Sequence, residues 1–156
     1  MSTTEERKVM DVNVDTIIPL CCNGNVAAER YLHDMAWVNR IIDDLYDGDV
    51  KVPKEYIEKC FYLLAIEIPT NPFYVQNFQA FMAQHIVIYN SWMDSNSWEF
   101  DTDKTKRVYS AVIKGYIREL LPLTAFLTGG TRLMREISLK VRELFIDPDT
   151  KDIISH

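Results

Sequence analysis

Residues 25–48 read NVAAERYLHDMAWVNRIIDDLYDG, and this stretch decides the fold class. Leu32, Met35, Val38, Ile42 and Leu45 recur at steps of three and four, the spacing that lays side chains along one stripe of a helix. Asn25 stands where a side-chain oxygen can cap the first turn. Gly48 stands where the chain must leave the helix in a left-handed conformation. A helix from Val26 to about Asp47 follows, with one apolar side to bury against others.

Working outward, the same pattern repeats. Pro53 opens a second helix, with Tyr56, Cys60, Leu63 and Leu64 on its apolar positions, and Pro69 stops it. Thr70-Asn71-Pro72 starts a third helix running to about Trp92, with Phe78, Phe81, Met82, His85, Ile88, Tyr89 and Trp92 along its inner side. A polar connection over 94–103 leads to a fourth helix from Asp103 to Leu127. It carries Val108, Val112, Tyr116, Leu120 and Leu123, with a kink expected at Pro122. Asp101 and Asp103 serve as cap and first-turn acid there. Gly129–Gly130 breaks that helix, Thr131 caps a last one, and Pro148 closes the pattern. Alternation of strand type is sustained nowhere, so the expected architecture is an all-α antiparallel bundle of about five helices. A segment over 1–24 with a short helix near 4–10 precedes the bundle at 25–147, and a tail covers 148–156.

Composition bounds the partners. The chain has 156 residues, 47% hydrophobic and 26% charged, with a net charge of −6. An acidic balance disfavours nucleic acid and anionic membrane surfaces, both of which select basic faces. No apolar run approaches the length that spans a bilayer. Three cysteines without metal or redox spacing, and a polar start MSTTEERKVM, point to a reducing cytoplasm. Cys21 and Cys22 read as small apolar residues.

One electrostatic anomaly stands out. The first long helix ends in Asp43-Asp44-Leu45-Tyr46-Asp47, carboxylates at the helix end whose dipole favours cations. Asp43 and Asp47 stack one turn apart, with Asp44 on the adjacent edge. Each acid there costs a few tenths of a kcal/mol, and a bound Mg²⁺ would reverse the sign. Asp43, Asp44 and Asp47 are therefore the candidate metal ligands, with Asn90 and Asp94 as further donors. Arg118, Arg132 and Arg135 are the candidate phosphate contacts, helped by the helix N-terminus at Thr131. The alternative is a solvated acidic helix end.

The Asp-Asp-x-x-Asp pattern resembles the first aspartate-rich motif of isoprenoid (terpenoid) synthases. That resemblance implies Mg²⁺ held by Asp43, Asp44 and Asp47 against a diphosphate. Ser95 and Glu99 fall at the spacing of that family's second metal motif, although Ser91 occupies its first ligand position and Asn90 lies one place early. More of the chain looks like small phage-encoded all-α proteins of unknown function. The residues carrying this are the acidic helix end, the stretch Asn90 to Glu99, and Arg132-Leu133-Met134-Arg135-Glu136-Ile137.

Other constellations lead to less. His33-Asp34 lacks the upstream histidine of an HD phosphohydrolase, and the Glu-x-x-His pairs of a di-iron bundle are absent. His85, among aromatics, reads as a core histidine. Glu67 and Glu119 lie beside apolar positions. Two functions are therefore expected: a non-enzymatic helical interaction or accessory protein of phage type, binding a protein partner or itself, or a Mg²⁺-dependent protein that binds or cleaves a phosphorylated small molecule.

Overall fold

Asn25 does cap the first long helix, its Oδ1 accepting from Ala28 N at 3.0 Å, and Gly48 ends that helix at φ 68°. The computed structural model describes residues 14–146 and 154–155, and the expected helix at 4–10 lies outside them. Among the described residues all regular structure is helical. Helix α1 covers 14–22, α2 is Val26–Asp47 and α3 is Lys54–Tyr62. A π turn, Leu63–Glu67, joins α3 to α4, Ile68–Thr70. After α5, Pro72–Gln76, come α6, Phe78–Trp98, α7, Lys104–Ile113, and α8, Tyr116–Leu144. No described helix is long and apolar enough to cross a membrane.

Several boundaries differ from those the sequence implies. Pro69 does not end the second helix: the π turn ahead of it, with Ile68 N bonding to Leu63 O, carries helical backbone up to a residue that has no N–H to give. Backbone dihedrals stay helical from Tyr62 through Ile68. Asn71 supplies the actual stop: it turns extended, and its Oδ1 accepts from Phe73 N at 2.9 Å and Tyr74 N at 3.1 Å. The third helix breaks once at Asn77 and then runs past Trp92 to Trp98, so Asp94 lies on a helix rather than in a connection. The fourth is interrupted at Lys114–Gly115.

Pro122 lies within helical backbone, and inside α8 the sole residue with non-helical dihedrals is Gly130, at φ 77° and ψ −173°, so the chain breaks where the Gly129–Gly130 pair implies. Only glycine adopts that conformation without cost. The break is a hairpin. Arg142 pairs with Glu119, although a straight helix would hold residues 23 apart at roughly 35 Å. A β-carbon on Gly129 would press into Leu133, whose Cβ would be 2.8 Å away, so the turn admits no side chain there.

The core is one cluster that includes Ile17, Ile18, Cys21 and Cys22 of α1, Leu32, Met35, Val38 and Ile41 of α2, and Leu120, Leu121, Ile137 and Val141 of α8. The two vicinal cysteines are fully buried and burial pushes both thiols up to about 12, as their apolar reading requires. On α2 the buried stripe passes through Tyr31 and Ile41, leaving Ile42 and Leu45 exposed. Tyr31 lies at the centre, its ring 4.6 Å from Phe81, 5.4 Å from Tyr74 and 6.4 Å from Phe73, with its Oη 2.8 Å from His85 Nε2. His85 is half-buried against this cluster, and desolvation lowers its pKa.

Two polar ties fix neighbours. Ser95 Oγ donates to Ser110 O at 3.0 Å and Ser110 Oγ to Ser95 O at 2.7 Å, so two small residues hold α6 against α7. Thr128 Oγ1 donates to Cys21 O while Asn23 Nδ2 donates to Thr128 O, both at 3.0 Å, joining the end of α1 to α8.

Asn71 also donates from Nδ2 to Ala27 O at 2.9 Å and is nearly sealed from solvent. Replacing it with Ala removes a cap and a buried tertiary bond together. Asn71→Ala should lower unfolding free energy by about 2 kcal/mol in a urea titration, and a loss below about 0.5 kcal/mol would refute the role given to it.

Candidate functional site

The acidic end of α2 abuts the joint between α7 and α8. Lys114 Nζ lies 3.6 Å from Asp43 Oδ1 and 3.8 Å from Glu99 Oε1, a mostly buried cation between two half-buried acids. Tyr46 packs edge-on against Trp92 with ring centres 4.9 Å apart, bringing the end of α6 alongside. The charge that α2 cannot balance from its own last turn, which holds no basic residue, is met by a lysine far along the chain. Asp43 and Asp44 are half-buried, and Asp47 and Asp49 are exposed.

Desolvation and then Asp43 push the Asp47 carboxyl above its ordinary value, with Lys114 pulling down and Asp49 and Asp44 adding to the rise. Among the described residues, however, no three His, Cys, Asp or Glu side chains gather in a way that would hold a metal ion. Asn90 and Asp94 face each other, Nδ2 to Oδ2 at 3.4 Å, on the open side of α6, each about 160° around the helix from Trp92. They do not join Asp43, Asp44 and Asp47.

Nor do the arginines meet. Arg118 Nη2 donates to Lys114 O at 3.1 Å and also to Val112 O, closing the end of α7. Arg132 lies on the far arm of α8, on its own turn with Glu136 at 3.0 Å, and Arg135 is exposed nearby. Glu67 accepts from Tyr62 Oη at 2.8 Å across the π turn, and His33 Nδ1 sits 3.3 Å from Asp15 Oδ1.

A different surface is more unusual. From Ile68 to Met93 there are 26 consecutive residues without Asp, Glu, Lys or Arg. A chain with 26% charged residues would place about seven in such a stretch. Most of this run is α6, and α6 is not sealed in the core: of its residues only Phe81 and Ser95 are fully buried. Phe78, Met82 and Tyr89, expected on the inner side, are exposed, and so are Ile86, Val87 and Met93. The helix is apolar around most of its girth, so packing one side leaves another apolar side in water. A second apolar set lies on α3 and the π turn, where Ile57, Phe61 and Leu64 are exposed, Phe61 to 74%.

The periodicity of α6 hides this surface, since apolar residues at every angle fit any inner face. The signal that reveals it is the missing charge. Lys114 has no comparable sequence signal, because its partners lie 71 and 15 residues away. Compared with protein-family models, curated proteins and solved structures, the chain matches none of them.

The raised Asp47 pKa has a measurable sign. The folded state holds the proton more tightly than the unfolded one, so stability falls as pH rises through the window just above 3.8, the ordinary value. Asp47→Asn should unfold at a slightly higher temperature than wild type at pH 7 and at the same temperature near pH 3. A lower melting temperature at pH 7 would show that the carboxylate is held favourably.

Proposed function

We propose that this chain is a non-enzymatic helical interaction protein that acts by docking apolar helix faces onto a protein partner. The observation that carries this reading is the uncharged run Ile68–Met93, most of it displayed on one exposed helix. Interface centres are depleted of charge and enriched in aromatics and Met, which describes Met82, Tyr89 and Met93. Solvated helix faces have the opposite character. A folded chain that places Ile86 at 61% and Tyr89 at 63% exposure gains free energy when another surface covers them. An accessory role in a phage setting follows from the resemblance given above and from nothing else.

Site-specific photo-crosslinking tests the reading in cells. A photoreactive phenylalanine replacing Tyr89 or Phe61 should give a protein adduct of discrete mass, and the same group replacing the exposed Arg135 should not. Equal labelling at all three sites, or none at any, would end this reading.

A second reading is favoured by the raised carboxyl of Asp47 among Asp43, Asp44 and Asp49. Here the acidic end is a weak Mg²⁺ site serving a phosphorylated small molecule, with Arg118, which bonds to Lys114 O, as the phosphate contact. Millimolar Mg²⁺ with diphosphate should then raise the melting temperature of wild type and not of an Asp43→Asn/Asp47→Asn double variant. A ligand present at 100 times its Kd contributes about 2.7 kcal/mol. Identical curves for both proteins would eliminate it.

A further inference from the structure

We infer that the partner covering α6 is a second copy of this chain, paired helix to helix along a stripe of Met82, Ile86, Tyr89 and Met93. The inference rests on the interaction reading above and names its occupant. These four residues step by four, three and four, and at 100° per residue they fall within about 60° of arc. All four are exposed. The row beside them is Ala83, Asn90 and Ser97, small or uncharged residues that let another backbone approach. On the other side His85 and Trp92 pack onto Tyr31 and Tyr46 of α2, so the stripe is held rigid against the body of its own molecule.

Charge selects the occupant. The chain carries −6, so two copies repel through most of their surfaces, and the longest stretch on which they meet without charge is this one. A partner presenting charged side chains here would have to strip them of water with nothing to pair them. What fits is an uncharged apolar stripe of matching spacing, and α6 itself presents one. Area agrees. Covering Phe78, Met82, Ala83, Ile86, Tyr89 and Met93 would remove on the order of 600 Å² per copy, about 1,200 Å² across two, which reaches the lower bound of specific interfaces.

Sedimentation velocity on the full chain, from about 1 to about 200 µM, tests the pairing. Wild type should move from 18.2 kDa toward twice that mass, and about 0.5 M NaCl should leave the transition unchanged or tightened. Ile86→Glu/Tyr89→Glu should weaken association at least about 100-fold while keeping the helical circular dichroism of wild type, because both side chains are already exposed in the single chain. Phe61→Glu on α3 should associate like wild type. A wild type that stays at 18.2 kDa throughout overturns the inference, as does association that survives the double variant, or that salt or Phe61→Glu weakens tenfold or more. The two levels separate cleanly. A monomer whose residue-89 photo-adduct is another protein removes the second copy and leaves the interaction reading in place, whereas a monomer with no adduct at 89 or 61 removes both.

Discussion

Everything in this fold is referred to the burial of Tyr31. A fully enclosed phenol must find a hydrogen-bond partner, and His85 provides it from α6, while Phe73, Tyr74 and Phe81 close around the ring from α5 and α6. That single requirement fixes the rotation of α6 about its axis. With His85 and Phe81 turned inward, Met82, Ile86 and Tyr89 have only the lateral and outer faces left. The exposed apolar stripe is thus a geometric consequence of satisfying one polar atom in the core. Asn71 enforces the same arrangement from the chain side, ending α4, starting α5 and bonding back to α2.

The acidic end of α2 follows a different logic. Carboxylates at a helix C-terminus are unfavourable on local grounds, and the chain answers them with a distant lysine at a helix joint. Lys114 is held among them because α7 ends there, and Arg118 takes the carbonyls that this ending frees. The interruption at Lys114–Gly115 therefore serves to deliver charge.

What could be read from sequence was what local chemistry decides. Asn25 and Gly48 act through neighbours three or four residues away, and each marks its helix end where the pattern placed it, whereas Asp103, read as a first-turn acid behind Asp101, is itself the cap. The Gly129–Gly130 break is of the same kind. What could not be read depends on distant partners or on competition. Pro69 looks like a stop, but the π turn before it lets the helical backbone run past. The polar composition of 94–98 suggests a loop, yet the Ser95–Ser110 bonds reward its continuing as helix. The inner face of α6 was unreadable because apolar residues occupy nearly every angle, and the choice among them is made by Tyr31. For the candidate sites, the Asp cluster was visible while its lysine was not. The uncharged run was open to simple counting, a test of a different kind from periodicity.

Gly130 sets the shape of the molecule through one residue's handedness. Its positive φ turns what would be a rod of 29 residues into two antiparallel arms, and the Glu119–Arg142 pair records that return. Any residue bearing a β-carbon would be strained in that conformation, whereas the straight rod would suit it well. In an extended rod the second arm would leave its own core, and Ile137 and Val141 would find an identical vacancy only in another molecule. The acid–base pair would then be satisfied between chains. A single methyl group added at this position would weaken the chain's hold on its own second arm.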